Sequence, residues 1–341
     1  MMYSLKRLLA PIALLVCFSW TAGCNQNQKL NAVPARVMGS VPPITFGDKF
    51  YDVAVPDKEH IWSVGYFGTV THSSDGGKMW SRQQAGTTQS LTSVSFVNDK
   101  EGWIVGDQGT ILHTQNGGLN WAKQKSPVID QKLLKVQFLT DKEGFAVGTF
   151  GTILHTADGG GTWEKQPFQE DVILNDLVFL NSREGWISGE FETILHTIDG
   201  GKTFQKQRGG ELGKLFGIAF HDDRQGVAVG TAGKILVTSD GGRRWKPVKS
   251  NTEDTLLKVR FFGSRLLAVG LRGAVLQSAD QGRTWTAPSI PGHYSWLSGL
   301  AFTDGVGFLV GNEGKILASR DNGQTWTRLG LSPFMGVGKK E

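Results

Sequence analysis

A segment of about 41 residues recurs seven times along this chain, and no other feature constrains the fold as strongly. Each copy ends in a variant of the turn S/T-x-D-x-G-x-T/N-W, and the closing aromatic residues are spaced by 41, 42, 41, 41, 40 and 41 residues. A fixed period of this length is typical of folds built from stacked, equivalent units. The closing residues are Trp80, Trp121, Trp163, Phe204, Trp245, Trp285 and Trp326. A Val-Gly or Ser-Gly pair precedes each turn and supplies Gly65, Gly106, Gly148, Gly189, Gly230, Gly270 and Gly311.

The second copy indicates what one unit forms. Residues 91–97 alternate apolar and polar side chains like a half-buried strand, and residues 102–105 and 110–114 are two further short apolar runs. Asn116-Gly117-Gly118 is a strong turn signal, and residues 121–124 complete a fourth strand. Four short antiparallel strands repeated in this way predict an all-β fold, a seven-bladed β-propeller over residues 41–332 with a tail at 333–341.

How the ring closes has two possible answers in the sequence. Residues 36–43 lie one repeat before the fourth strand of the first unit, so they could pair as an outer strand on the last blade. Residues 326–329 already supply a fourth strand there. The sequence leaves this choice open.

Composition and charge fit a repeat fold and exclude other classes. Six of the 11 tryptophans occupy the repeated turn, and many of the 46 glycines lie in turns. The net charge of +5, from 36 basic and 31 acidic residues, is too small for the dense basic surface of a nucleic-acid binder. We therefore expect no nucleic-acid partner.

The first 40 residues carry a targeting signal. Lys6 and Arg7 precede an apolar run at residues 8–20, which is too short to span a bilayer and is typical of a signal peptide. Thr21-Ala22-Gly23-Cys24 follows and resembles a bacterial lipobox. We therefore predict a lipoprotein signal at 1–23, lipidation of Cys24, and a flexible polar tether at 24–40. Asn25 in place of Asp favours the outer membrane, with the protein facing the periplasm.

The repeated turn resembles the Asp box, also called the BNR repeat, and its residues have a structural role. The Asp is expected to accept backbone N–H bonds across the turn, while the Trp packs on the blade. Four histidines share one position in successive units, too far apart for the roughly 2 Å bonds of a shared metal. We predict packing for them and no metal or cofactor: His72, His113, His155 and His196.

Catalytic motifs are absent from the sequence. No phosphate-binding loop, HExxH or Ser-His-Asp pattern occurs. The Asp box recurs in sialidases, which need an arginine triad and a tyrosine nucleophile with a carboxylate partner. Tyr51, Tyr66 and Tyr294 lie in no such motif, and sialidases have six blades. The sequence therefore favours a protein that is not an enzyme.

Residues that depart from the repeat are the candidates for binding. They concentrate in the loops between the second and third strands, where the residue type differs from unit to unit and several residues are aromatic. The candidates for partner contact in these loops are Tyr66, Phe67, Phe150 and Phe191.

Charge is also distributed unevenly. Residues 98–192 hold 8 basic and 14 acidic side chains, whereas residues 206–283 hold 14 basic and 7 acidic ones. In a closed ring this predicts an acidic side and an opposite basic side, which could dock a protein partner. The basic candidates are Arg208, Lys214, Lys249, Lys258, Arg260 and Arg272.

Seven units of the form VGxxGTILHTxDGGxTW behind a lipoprotein signal resemble the photosystem II stability/assembly factor family. The resemblance covers residues 41–330 and implies a non-catalytic propeller that binds newly made membrane protein through a basic patch. It implies a place on the lumenal side of the thylakoid if the source is photosynthetic. We therefore expect a monomeric, membrane-tethered assembly or stability factor for an envelope or photosynthetic complex. The alternatives are a periplasmic accessory protein of a transporter, a carbohydrate-binding propeller and, more remotely, a sialidase-like glycosidase.

Overall fold

Seven antiparallel sheets form a closed ring in the computed structural model, which describes residues 44–208 and 213–329. Within each sheet the strands pair in chain order, and the first strands of neighbouring sheets pack together around a central channel. The predicted seven-bladed propeller is therefore confirmed. The predicted leader, tether and C-terminal tail lie outside the described residues and stay predictions.

The first four blades have four strands each. Blade 1 consists of β1 (Phe50–Ala54), β2 (Ile61–Gly65), β3 (Val70–Ser73) and β4 (Ser81–Gln83), with a short 3-10 turn at Tyr66–Gly68. Blade 2 consists of β5 (Leu91–Phe96), β6 (Gly102–Gly106), β7 (Ile111–Thr114) and β8 (Ala122–Lys123). Blade 3 consists of β9 (Leu133–Phe138), β10 (Gly144–Gly148), β11 (Ile153–Thr156) and β12 (Glu164–Lys165). Blade 4 consists of β13 (Leu174–Phe179), β14 (Gly185–Gly189), β15 (Thr193–Thr197) and β16 (Gln205–Arg208).

The last three blades follow the same plan, with one departure in blade 6. Blade 5 consists of β17 (Leu215–Phe220), β18 (Gly226–Gly230), β19 (Ile235–Thr238) and β20 (Lys246–Val248), with a 3-10 turn at Thr231–Gly233. Blade 6 consists of β21 (Leu256–Phe262), β22 (Arg265–Gly270) and β23 (Val275–Ser278), and blade 7 of β24 (Leu297–Thr303), β25 (Val306–Gly311), β26 (Ile316–Ser319) and β27 (Thr327–Leu329). The outer strand of blade 6 is reduced to one bridge between Gln277 and Thr286. Pro288 follows closely, and a proline cannot donate to a strand ladder.

The repeated turns have the geometry that the sequence predicts. In blade 4, the hydroxyl of Thr197 accepts a hydrogen bond from Gly201 N at 2.9 Å and donates to Asp199 Oδ1 at 2.9 Å. The same carboxylate accepts from Thr203 N at 2.9 Å, which closes the turn. These hydrogen bonds to Thr203 hold the pKa of Asp199 at about 2. Equivalent bonds recur in the other blades, so these residues stabilise the fold.

The glycine that ends each second strand is required by close packing. A Cβ on Gly148 would lie 2.0 Å from the carbonyl oxygen of Lys132, and the six equivalent glycines are blocked in the same way by backbone oxygens. Aromatic stacking then joins successive blades, as where Trp103 lies 3.5 Å from Phe138 between ring centroids. The core is therefore a set of blade-to-blade interfaces around the ring.

The ring closes without an exchanged strand among the described residues. Thr327–Leu329 supplies the fourth strand of blade 7, as one of the two sequence interpretations proposed. Ser298 Oγ donates to Phe50 O at 2.9 Å, and Gly314 N donates to Asp48 O at 2.7 Å, which joins blade 7 to blade 1. The other interpretation concerns residues 36–43, which lie outside the described residues.

The four repeated histidines pack on aromatic rings. His113 stacks on Trp103 with 4.7 Å between ring centroids and forms a hydrogen bond with Glu101 at 2.7 Å. His155 and His196 repeat this arrangement in their own blades. Burial and the neighbouring His60 lower the pKa of His72 to about 4. The predicted packing role fits these contacts.

Candidate functional site

The two ends of the propeller differ in what the loops present. At one end, which we call the Asp-box face, the Asp-box turns bond to the turns between first and second strands, as where Gly241 N donates to Arg224 O at 3.0 Å. At the other end, which we call the tip face, the loop between second and third strands bonds to the following blade-to-blade loop. Gly151 N, for example, donates to Val172 O at 2.8 Å. The repeat thus builds the Asp-box face from similar residues and leaves the tip face free to vary.

Every blade places two successive residues of its tip loop in the left-handed region of backbone space, and the first of the two is never glycine. The φ values of these first residues lie between 52° and 58°, where a side chain other than glycine costs on the order of 1 kcal/mol. The seven tip residues are Phe67, Gln108, Phe150, Phe191, Ala232, Arg272 and Glu313. The fold fixes this backbone geometry, whereas the residue type differs from blade to blade.

The aromatic candidates lie exposed on the tip face, where the sequence predicted them. Phe67 and Phe191 are each 64% exposed, and Phe150 is 57% exposed. Tyr66 is 49% exposed, with Lys49 Nζ 5.3 Å from its ring centroid. Because these rings are solvated, they do not serve as covers for the blades beneath.

A cavity of about 300 Å³ opens at the mouth of the central channel on the tip face. Its rim carries the second residue of the first strand of every blade, and apart from two leucines these seven residues differ in type. They are Tyr51, Thr92, Leu134, Asn175, Phe216, Leu257 and Ser298. Tyr51 stacks on Trp296 with 5.8 Å between centroids. This rim varies as a binding surface would.

One layer deeper, a buried carboxylate links three blades across the channel. Asp52 of blade 1 accepts hydrogen bonds from Ser93 Oγ of blade 2 at 2.7 Å and from Lys135 Nζ of blade 3 at 2.8 Å. Burial alone would raise the pKa of Asp52, but the Lys135 charge and these hydrogen bonds outweigh burial and lower it. This carboxylate is therefore ionised and committed to structure.

A second buried carboxylate corrects the sequence interpretation of Lys258 and Arg260. Both side chains point into the channel, where Arg260 donates to Asp176 through Nη1 at 2.8 Å and Nη2 at 3.1 Å. Lys258 Nζ lies 3.6 Å from the same carboxylate. Burial opposes ionisation of Asp176, yet the Arg260 and Lys258 charges lower its pKa well below the ordinary range. The assumption that both side chains are free at the surface is therefore wrong, whereas their contact with a partner stays a prediction, since Lys258 also lines the cavity at the channel mouth.

The cause of this error is a β-bulge near the start of the first strands. The register shifts between Leu256 and Lys258 and between Leu174 and Asp176, so two successive residues face the channel instead of alternating. Asp52, Ser93, Lys135 and Asp176 were missed at the sequence level for the same reason. Aligning the seven repeats at that position would have shown a charged and polar set: Asp52, Ser93, Lys135, Asp176, Gly217, Lys258 and Gly299.

The remaining basic candidates lie near blades 5 and 6. Arg272 is a tip residue with its side chain 79% exposed, 2.6 Å from Asp254. Lys214 is exposed and pairs with Glu190 at 2.5 Å, and Lys249 is exposed in the loop after β20. The side chain of Arg208 lies outside the described residues. The structure therefore brings Lys214, Lys249 and Arg272 to the tip face.

A groove of about 960 Å³ lies on the Asp-box face between blades 4 and 5. A groove of about 670 Å³ between blades 1 and 2 is lined by repeat-equivalent residues. His196 and Gly241 in the first groove correspond to His72 and Gly117 in the second. Because the grooves repeat with the fold, they are a consequence of the architecture.

Within the described residues, no cluster of three or more metal-ligating side chains occurs. No helix in that same part of the chain has the length and apolar character needed to cross a membrane.

Comparison with known families identifies one model along almost the whole propeller. The model described as photosynthesis system II assembly factor YCF48 matches residues 40–128, 123–212, 211–293 and 243–336. No curated protein sequence matches the chain.

Solved structures share the propeller at low sequence identity. A structure described as YCF48 bound to D1 peptide is 23% identical with a TM-score of 0.68, covering 82% of this chain and 93% of that one. YCF48 from Cyanidioschyzon merolae is 20% identical with a TM-score of 0.68, over 82% of this chain and 97% of that one. A GH74 xyloglucanase from Xanthomonas campestris is 13% identical with a TM-score of 0.68, over 83% of this chain and 54% of that one. At these identities the likeness concerns the fold.

Proposed function

Because the chain belongs to the photosynthesis system II assembly factor YCF48 family, we propose that it is a non-catalytic factor that holds a membrane-protein subunit before assembly. The family match over residues 40–336 carries this proposal. One solved YCF48 structure contains a D1 peptide, so the ligand class that we propose is a segment of a newly made membrane protein.

The proposed docking area is the half of the tip face formed by blades 5 and 6. Lys249 and Arg272 are exposed there, and the channel mouth with Phe216 and Leu257 lies beside them. An exposed cation attracts an acidic segment over a Debye length of about 8 Å at physiological salt, while the apolar rim holds side chains. This combination suits an extended peptide that carries both acidic and apolar residues.

The location that we propose follows from the N-terminal signal. A lipid on Cys24 would tether a monomeric propeller to the periplasmic side of the outer membrane, or to the lumenal side of a thylakoid in a photosynthetic source. A tethered factor meets its membrane-protein partner at the bilayer surface, where new subunits emerge.

Because a GH74 xyloglucanase shares the propeller fold, glycoside hydrolysis is the enzyme activity that we compare with the proposed role. Glycosidases need one carboxylic acid with a raised pKa beside a second carboxylate. Among the described residues, Asp52 and Asp176 at the centre of the propeller both have lowered pKa values and both bind cationic side chains. With lowered pKa values, neither of these two carboxylates suits the role of the general acid.

The test is affinity purification of the full chain from membranes of its source, with partners identified by mass spectrometry. The variant K249E/R272E reverses two exposed tip-face charges, and K202E/R243E reverses two exposed charges on the Asp-box face as a matched control. We expect the wild-type chain and the control to retain an unassembled membrane subunit and the tip variant to lose it.

Two outcomes would contradict the proposal. Equal retention by the tip variant would place docking elsewhere. Recovery of a mature exporter instead of an unassembled subunit would support the transporter-accessory alternative.

A further inference from the structure

Exposed aromatic side chains are confined to one end of the propeller. Five large exposed aromatics occur in the described part of the chain, and all lie on the tip face or its edge: Phe46, Tyr66, Phe67, Phe150 and Phe191. The Asp-box face exposes the large apolar residues Met79, Leu119 and Ile198 and none of these aromatics. The two ends of the propeller therefore differ in the aromatic side chains that they expose.

Neither packing nor backbone preference accounts for the three tip phenylalanines. Phe67, Phe150 and Phe191 are more than half exposed, so burial contributes little. They occupy φ values of 53–55°, which Asn or Gly adopts more readily. An exposed aromatic residue in a strained position points to contact with something outside the propeller.

The three phenyl rings stand on separate blades. Phe67 belongs to blade 1 and Phe150 and Phe191 to blades 3 and 4, with the polar tip Gln108 between them. Phe67 has one aromatic neighbour, Tyr66, at 6.1 Å between centroids. Separate rings that do not form one pocket suit a fluid lipid surface, into which each ring inserts independently.

The described chain also begins at this face. Thr45 and Ile44 lie against the tip loop of blade 7, since a Cβ on Gly314 would be 2.3 Å from Thr45 O and 2.9 Å from Ile44 Cγ2. Nineteen residues lie between Cys24 and Ile44, and the 20 steps of backbone span at most roughly 70 Å when fully extended. Any anchor at Cys24 is therefore attached to the propeller at the tip face, beside blade 7.

We propose that the aromatic side of the tip face, formed by blades 1, 3 and 4, docks on the lipid bilayer. This rests on the tether in the proposed function and extends it, because the phenyl rings would act as a second membrane contact beside the lipid. A single acyl chain gives weak, reversible binding, and a second signal makes binding stable. The basic side at blades 5 and 6 then stays available at the membrane surface for a protein partner.

The test uses the full chain in vesicles of phosphatidylethanolamine and phosphatidylglycerol. A genetically encoded, environment-sensitive fluorescent amino acid is placed at Phe150 or, as a matched control, at Leu119 of the Asp-box face. Spin-labelled lipids report depth by quenching. We expect the probe at Phe150 to be quenched at least about twofold more strongly than the probe at Leu119. Equal quenching at the two positions would overturn the proposal, as would quenching at Phe150 that requires added membrane protein.

A second variant separates docking from folding and from anchoring. F67N/F150N/F191N removes the rings and places Asn where the backbone favours it, so the fold is retained, as circular dichroism should verify. With the probe at Phe46, we expect this variant to lower the quenching to the level of the Leu119 control; unchanged quenching would contradict the proposal. Mass spectrometry of Cys24 tests the tether separately. A missing lipid would refute the tether, whereas the comparison of the probes at Phe150 and Leu119 with added vesicles would still test docking of the tip face.

Discussion

Replacing Asp176 with Asn tests the buried charge network of the channel. The amide keeps the size of the side chain and removes the negative charge that faces Arg260 and Lys258. The Asp176 side chain is 0% exposed and those of Lys258 and Arg260 are 10% and 23% exposed, so water can replace only part of the lost interaction. Breaking a buried pair by removing one partner costs about 3–5 kcal/mol, because a charge is left uncompensated.

Distance alone would rank another ion pair higher. Lys206 and Glu170 approach to 2.5 Å, closer than the 2.8 Å of Arg260 and Asp176, but their side chains are 46% and 47% exposed. An exposed pair contributes about 0–1 kcal/mol. Glu170→Gln is therefore the matched control, and burial is the variable that differs.

Thermal unfolding followed by circular dichroism at pH 7 measures both variants. We expect Asp176→Asn to lower the midpoint by roughly 6–12 °C and Glu170→Gln by no more than about 3 °C. Because the folded pKa of Asp176 is lowered, its stabilisation is present above about pH 4 and is lost as the pH falls further. Equal shifts for the two variants, or a loss at Asp176 that persists unchanged at pH 2, would refute this reasoning.

Three further substitutions test other parts of the structure by the same unfolding measurement. Gly148→Ala should lower the free energy of unfolding by about 1–3 kcal/mol, since its Cβ would meet the Lys132 carbonyl oxygen at 2.0 Å. Gly47→Ala is the control: the nearest contact of its Cβ is 3.7 Å, so the free energy of unfolding should change by less than about 0.5 kcal/mol. Equal effects of the two substitutions would exclude close packing as the cause. Burial lowers the pKa of Lys258 from 10.5 to about 8. Between pH 8 and pH 10.5 the unfolded chain therefore binds more protons than the folded one, so the free energy of unfolding should rise with pH in this range, and Lys258→Met should remove the rise. A wild-type pH profile as flat as that of the variant would contradict the pKa shift. Phe150→Asn should raise the free energy of unfolding by up to about 1 kcal/mol, because Asn tolerates a φ of 55°; a clear loss of stability would mean that the ring packs on the blade.

The repeat predicted the fold because each turn motif lies within a short stretch of sequence and because the motif occurs seven times. The Asp-box turn needs a hydroxyl, an Asp or Asn side chain and at least one glycine within eight residues, and this pattern recurs in all seven units. The hydrogen bonds of Thr197 and Asp199 show why those residue types are required. The sequence placed Phe67, Phe150 and Phe191 in these loops but left open whether each ring covers the blade beneath; the structure shows that all three rings are exposed.

The buried ion pairs of the central channel could not be predicted from the alternation of apolar and polar residues along the strands. A bulge turns Lys258 towards the channel although its neighbour Leu257 also lines the mouth. Arg260 and Asp176 then meet across 84 positions of sequence, a contact set by ring closure rather than by spacing. Counting charge per segment treats such residues as surface, which is why Lys258 and Arg260 were assigned to a docking patch.

Photo-crosslinking in native membranes tests the assembly-factor proposal most directly. A benzophenone amino acid is placed at Phe216 on the channel mouth of the tip face and, as a control, at Leu119 on the Asp-box face. We predict that the probe at Phe216 forms an adduct with an unassembled membrane subunit and that the probe at Leu119 does not. Adducts with that subunit from Leu119 alone, or adducts from Phe216 with mature complexes alone, would contradict the proposal.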